Sequence, residues 1–308
     1  MKSGMLKTIY DKYTTTHDWN IGFVNLEIQN ILEKDNLDIK WLKHPYADRW
    51  FADPFILRIT SREIILLAEE YYRPGKKGRI SRLIVDKNKF ALIECEVVLE
   101  LTSHLSFPAI FRDGNDVYIY PENSSIGKLL LYRYFEETNN IEMVSELNGE
   151  PLTDAIITTT FGKPYIFSTR LPNQNKNILN IYSSDKWKGV YVLDHTVNFN
   201  DNCARCAGDL FEINNTLIRP AQDCNDEYGK GIVLQEVIFN GNRFIFKEIK
   251  RFYSTSRKWN LGMHTLNVYG GIIVTDGKKY HTPIVRHILI CIKVFAKKIL
   301  RHKTHETK

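Results

Sequence analysis

Apolar positions along this chain gather in short runs, each bounded by turn-forming residues. Glu63–Leu67, Val117–Tyr120, Lys163–Phe167, Thr216–Ile218 and Gly271–Val274 are rich in β-branched and aromatic residues, which predicts strands. Several follow a turn pair: Asp113-Gly114, Asn214-Asn215 and Gly270-Gly271, with a further pair at Asn240-Gly241. Amphipathic helical spacing is rare. It is expected near Val24–Lys34 and in the C-terminal tail.

The runs repeat. A small or polar residue opens an apolar strand, a turn follows, and a second strand ends on a polar residue. Asp53-Pro54-Phe55-Ile56-Leu57 leads to Leu66-Leu67-Ala68-Glu69-Glu70, and Phe107-Pro108-Ala109-Ile110-Phe111 leads to Ile119-Tyr120-Pro121-Glu122. Further copies open at Asp154, Gly208 and His264, so the starts lie 54, 47, 54 and 56 residues apart. A repeat of about 50 residues holding four strands is what propeller blades require. The expectation is an all-β, five-bladed β-propeller over residues 1–283, followed by a short basic amphipathic helix over 284–308. Trp19-Asn20-Ile21-Gly22 and Trp259-Asn260-Leu261-Gly262 share a pattern. They mark equivalent edges of a ring-closing blade, or they coincide by chance.

Charge sharpens the division. The formal net charge is +6, but residues 284–308 hold seven Lys/Arg against one Glu, so the body is neutral. A neutral body argues against a nucleic-acid surface, which needs clustered positive charge. Five cysteines at irregular spacing do not suggest a disulfide framework. No apolar signal-like segment opens the chain, and the run Ile288–Ile292 is too short to span a bilayer. A reducing, cytoplasmic setting is expected.

Trp50-Phe51-Ala52-Asp53-Pro54-Phe55 is the strongest single motif. An Ala-Asp-Pro opening the first inner strand resembles the five-bladed glycoside hydrolases of family 43. Four later motifs resemble a narrower group: Ser103-His104-Leu105-Ser106-Phe107-Pro108, Tyr120-Pro121-Glu122, Arg219-Pro220-Ala221-Gln222-Asp223-Cys224 and Tyr228-Gly229. They are similar to the N-terminal propeller domain of plant glucosamine inositolphosphorylceramide transferase and to bacterial proteins with that domain. The resemblance implies a saccharide or glycolipid ligand and a place in surface-polysaccharide or glycolipid metabolism. It also implies a general base at Asp53 and a pKa-modulating carboxylate at Asp154. The Glu that opens the fourth blade of family 43 as general acid is missing: Arg205-Cys206-Ala207-Gly208-Asp209 stands there. Asp209, Glu122 or His264 is then the candidate substitute.

Inner strands of a propeller converge on one axis, so Asp53, Phe107, Asp154, Gly208 and His264 should share a rim, with Glu70, Glu122 and Asp223 close behind. Glycosidic cleavage needs a base or nucleophile and an acid, and further charges separate their pKa values. Asp53, Asp154 and Glu122 form the candidate catalytic set. His104, Glu70, Arg219, Gln222, Asp223 and His264 form the candidate binding set. Each has a plainer role open to it. Asp53 suits a tight Asp-Pro turn, Asp154 a strand start, Glu122 a solvated strand end and His264 a hydrogen-bonded core position. His104 and Arg219 either bind an anionic group or form structural pairs. Cys203-Ala204-Arg205-Cys206 has zinc-like spacing, but lacks a second pair, and no metal is expected. Neither a G-x-G-x-x-G nor a P-loop is present, so no nucleotide cofactor is expected.

In the tail, Ile288, Ile292, Phe295 and Ile299 fall on one helical face, and Lys293, Lys297 and Arg301 on another. Such a helix either lies on an anionic membrane surface or docks on the propeller. Two functions follow: a glycan-active enzyme of glycosidase or glycosyl-transfer type, or a non-catalytic saccharide-binding propeller. A protein–protein scaffold is a third, weaker reading.

Overall fold

A computed structural model describes residues 10–305 apart from Lys12, with side chains as far as Phe295. It shows five four-stranded antiparallel sheets around one axis. The chain opens with β1 (His17–Val24) and β2 (Ile39–Trp41). The first blade is β3 (Arg49–Ile59), β4 (Glu63–Tyr72), β5 (Lys77–Asp86) and β6 (Leu92–Leu99). The second is β7 (Ile110–Asp113), β8 (Asp116–Ile119), β9 (Leu129–Phe135) and β10 (Asn140–Asn148). The third is β11 (Leu152–Thr158), β12 (Tyr165–Arg170), β13 (Ile178–Ser183) and β14 (Val192–Asn198). The fourth is β15 (Phe211–Ile213), β16 (Thr216–Asp223), β17 (Gly231–Phe239) and β18 (Phe244–Tyr253).

The fifth blade closes the ring. Its inner strands are β19 (Leu266–Tyr269) and β20 (Ile272–Tyr280), and its outer half is β1 and β2 from the other end of the chain. β1 pairs with β20 over its full length, His17 facing Tyr280 and Val24 facing Ile273. The duplicated tryptophan motifs sit on the two sides of β20: Trp19 faces Lys278, and Gly262 bridges Lys278 from the opposite edge.

Burial follows distance from the axis. Innermost β11 is buried at every position, whereas outermost β14 is exposed or half-buried throughout. Blades adhere through apolar faces. Between the third and fourth, Phe244 packs edge-on against Phe161 at 4.8 Å and Phe167 at 5.0 Å. Such aromatic pairs contribute about 0.5–1.5 kcal/mol beyond their buried area.

The helix expected over Val24–Lys34 reduces to one 3-10 segment at Ile28–Glu33. Val24 belongs to β1, and the segment must return within a short span to begin β2, so Ile31 packs as part of a connection. Helix α1 (Pro283–His305) follows β20. Ile284, Ile288, Ile292 and Phe295 are exposed along it. Arg286 lies over the Tyr280 ring and donates to the Thr14 carbonyl, and Lys293 lies over Tyr10. The side chains of Lys297, Ile299 and Arg301, and residues 306–308, lie outside the described residues. Among the described residues no helix is long and apolar enough to cross a membrane.

Candidate functional site

Two inner strands and the segment leading into a third share a kink at the axis. Asp53, Phe107 and Asp154 have left-handed backbones, with φ of 50°, 45° and 46°. In β3 and β11 the kink interrupts the ladder, between Ala52 and Phe55 and between Thr153 and Ile156. Left-handed backbone is strained for residues other than glycine. Each kink also turns a backbone N–H away from its own sheet, and a buried N–H needs an acceptor. A carboxylate from the preceding blade supplies it every time. Asp276 accepts from Asp53 N–H at 3.2 Å, Asp53 from Phe107 N–H at 3.0 Å, and Glu122 from Asp154 N–H at 3.0 Å. The acids thus link blades five to one, one to two and two to three.

Further donors engage the other carboxylate oxygens. Asp53 accepts the Thr265 hydroxyl at 2.7 Å and faces His264 Nε2 at 3.5 Å. Asp276 accepts the N–H groups of His264 and Thr265, and pairs with His264 Nδ1 at 2.6 Å. Arg205, from the loop entering the fourth blade, reaches across the axis. Its Nε meets Asp154 at 2.6 Å, and one terminal nitrogen lies 3.2 Å from both Asp154 and Glu122. Gln222 donates to Asp154 at 2.5 Å. Above this floor Trp19 stacks on His264 at 4.0 Å, and Tyr228 meets His264 edge-on at 5.3 Å and the Arg205 guanidinium at 4.8 Å.

Charge is correspondingly redistributed. Burial pushes Glu122 up to about 8 against the pull of Arg205. Burial likewise pushes Asp53 up to about 7, opposed by His264. For His264 burial works against the charged form, but Asp276 and Asp53 outweigh it and raise the group to about 9. Asp154 lies below its ordinary value because Arg205 and its hydrogen bonds overcome burial.

The structure therefore brings Asp53, Asp154, Glu122, His264 and Gln222 together. His104 sits at the rim, half-exposed, 3.2 Å from Glu69. Glu70 points elsewhere: it is fully buried within the first blade, held by Arg49, Arg79 and Ser81 at 2.5–2.8 Å. Arg219 is buried against Gln235 and the Ala204 carbonyl. Asp223 pairs with Arg251 and Tyr253 on the flank of the fourth blade. Ala207 is fully buried and its backbone bonds Pro220 and Leu266. A Cβ on neighbouring Gly208 would collide with the Leu266 carbonyl. Blade four is packed closely on blade five at Gly208, and the buried Ala207 beside it offers no carboxyl group. Asp209 accepts its neighbour's N–H on one oxygen at 2.8 Å, and burial pushes it up to about 6. Cys203 and Cys206 are buried, with sulfur contacts to Gln235, Phe167 and Arg219.

Asp276, Arg205 and Glu69 were not among the candidates. The repeat carries a signal for two of them: the second strand of the copy that opens at His264 runs on through Asp276, and the first copy, aligned on Glu69 instead of Glu70, places Glu69 opposite Ala52 beside the Asp53 kink. Arg205 has no local signal, because its role depends on reaching another blade.

Asp53, His264 and Asp276 place potential ligand atoms within 4.8 Å of one another. Every carboxylate oxygen there already accepts from a protein donor, so a metal would have to displace the bonds that hold the kinks. Trp19 also forms a wall of a separate cavity of about 730 Å³ between the fifth and first blades, shared with Asn20, Trp41, Trp50, Arg73 and Trp259.

Comparison with known proteins agrees with this architecture. Residues 40–268 match the family described as glucosamine inositolphosphorylceramide transferase 1, N-terminal. The curated glucosamine inositolphosphorylceramide transferase 1 of Oryza sativa subsp. indica is 27% identical over 206 residues, covering 62% of this chain and 27% of the relative. The Arabidopsis thaliana protein of that name is 27% identical over 214 residues, covering 61% and 28%. The chain thus spans little more than a quarter of these relatives. Among solved structures, the exo-β-1,3-galactanase of Phanerochaete chrysosporium superimposes with a TM-score of 0.54 at 11% identity, over 68% of this chain and 53% of that one, a likeness of fold.

Proposed function

Since this chain belongs to the family of the glucosamine inositolphosphorylceramide transferase 1 N-terminal region, we propose that it is a saccharide-binding propeller that holds its ligand without cleaving it. The carrying observation is the state of the axial acids. Asp53, Asp276, Asp154 and Glu122 spend their oxygens on kinked backbone N–H groups, on Thr265 and Ser124 hydroxyls, on His264 and on Arg205. A general base needs a free lone pair facing water or substrate, and a general acid needs a proton aimed at the leaving oxygen. Here the same groups act as fasteners. The fourth-blade position that would supply an acid holds Ala207 and Gly208, which offer no carboxyl group.

A panel of aryl glycosides and unactivated oligosaccharides should show no turnover above background, while glycan-array or calorimetric binding persists in Glu122→Gln. Turnover that Glu122→Gln abolishes would reverse the reading.

One observation favours the enzymatic alternative. Glu122 is pushed up to about 8 while Asp154 is held low, the separation of two carboxyl groups that glycosidases exploit. In that case Glu122 would pass its proton to the glycosidic oxygen and Asp53 would take a proton from the attacking water. The exposed apolar residues and basic charge of α1 support a peripheral position at an anionic membrane surface, where glycolipids would be within reach.

A further inference from the structure

Resting on the saccharide-binding reading, the cavity between the fifth and first blades offers a specific chemistry. Its volume of about 730 Å³ lies within the usual range for ligand pockets. Trp19, Trp41, Trp50 and Trp259 line it, four of the chain's five tryptophans. Trp50 is half-buried and lies parallel to Tyr71 at 4.8 Å and 5°. Trp19 and Trp259 are buried, whereas the half-buried Trp41 and Trp50 offer aromatic surface that suits the C–H face of a sugar or cyclitol ring.

The charge is one-sided. Lys40, Lys43, Arg49, Arg73, Lys258 and Lys279 line the cavity against a single carboxylate, Asp18. That carboxylate is already engaged by Arg73, by His281 at 3.0 Å and by Lys279 at 3.6 Å. Lys43 and Lys258 are exposed and have no ion-pair partner among the described residues. His44, also in the lining, is held below its ordinary value first by burial, then by Lys258, Lys279 and Arg49.

Unpartnered buried polar atoms add a second, independent observation. Asn20 is 3% exposed; its amide nitrogen donates to the Leu42 carbonyl, and its Oδ1 has no partner. His44 Nδ1 and Arg73 Nε are likewise buried without partners. Buried polar groups are normally satisfied. Here an acceptor and a donor lie beside aromatic rings and two ammonium groups without carboxylate partners among the described residues, Lys43 and Lys258, the latter over the Trp259 ring at 5.4 Å. We propose that this groove binds a hydroxylated ring carrying a phosphate, with Asn20 Oδ1 accepting a ring hydroxyl and Lys43 and Lys258 meeting the phosphate. Lysine serves phosphate as a point charge. The ring-phosphate is either a soluble sugar phosphate or a lipid headgroup.

Intrinsic tryptophan fluorescence reports on the groove directly. Titration with glucose 1-phosphate should give a saturable change, with glucose and inorganic phosphate each at least tenfold weaker and with affinity falling as salt rises. In the lipid arm, phosphatidylinositol vesicles are compared with phosphatidylserine vesicles of equal charge, and a preference for the former assigns the headgroup source. The double variant K43A/K258A, both positions exposed and safe for folding, should lose at least tenfold for whichever ring-phosphate binds while keeping its weak affinity for glucose. Glucose binding as tightly as glucose 1-phosphate would remove the phosphate and leave saccharide binding standing. Inorganic phosphate binding as tightly would remove the ring. An unchanged double variant would overturn the site, and silence toward every probe would overturn the groove while leaving saccharide binding to the glycan-array test.

Discussion

At the residue scale, the axis shows acids serving as backbone acceptors. Asp53 is bound on both oxygens, and Asp154 is clamped by Arg205 and Gln222. Such groups make stability depend on pH, and the sign can be worked out. Glu122 and Asp53 have folded-state values raised to about 8 and about 7, so the folded protein holds protons that the unfolded chain has released above about pH 4.5. His264, raised to about 9, contributes stability that is complete below its ordinary value near 6.5 and is lost as pH climbs through 9. All three act in one direction, and stability falls wherever the folded state binds more protons. The thermal midpoint should therefore drop between pH 6 and pH 9. Glu122→Gln keeps the side chain neutral and should flatten part of that slope. A midpoint that rises over this window, or an unaltered slope in the variant, would contradict the protonation described. Little of this residue-level pattern was legible beforehand. Glu69 and Glu70 are adjacent, yet strand alternation sends one toward the axis and the other into its own blade. Arg205 acts through a side chain that crosses between blades, which no local pattern records.

At the element scale the sequence was more informative. Turn pairs bracket apolar runs, so the five inner hairpins could be located from Asp53, Phe107, Asp154, Gly208 and His264. The misread element, Val24–Lys34, has apolar spacing because a connection docks on the ring, and spacing alone cannot separate that from a helix. The terminal helix is a separable question. Ile284, Ile288, Ile292 and Phe295 are exposed, and lysines or arginines close to an anionic bilayer contribute about 1 kcal/mol each. Removing residues 284–308 should leave a soluble propeller that co-sediments poorly with phosphatidylserine liposomes at low salt. Equal sedimentation by full and shortened proteins would end the membrane proposal. A lower thermal midpoint in the shortened protein would instead show that Arg286 and Lys293 fasten the helix to the ring.

At the scale of the whole molecule, closure depends on β1. It supplies eight paired positions to β20, and it brings Trp19 onto His264 above the axial acids. Without it, β20 becomes a bare edge and the fifth blade keeps only two strands. A chain starting after Val24 should lose its cooperative thermal transition by circular dichroism. A sharp transition in that chain would show that four blades and a half-blade suffice. The same clasp has a mechanical consequence. His17 and Tyr280 face each other at one end of an antiparallel pair, so chain enters β1 and leaves β20 at the same point. Tension applied through segments on either side of the propeller would load the hydrogen bonds one after another, like a zip, and not all at once in shear. A pull across the two ends of the clasp would peel the ring open from the seam beside Trp19.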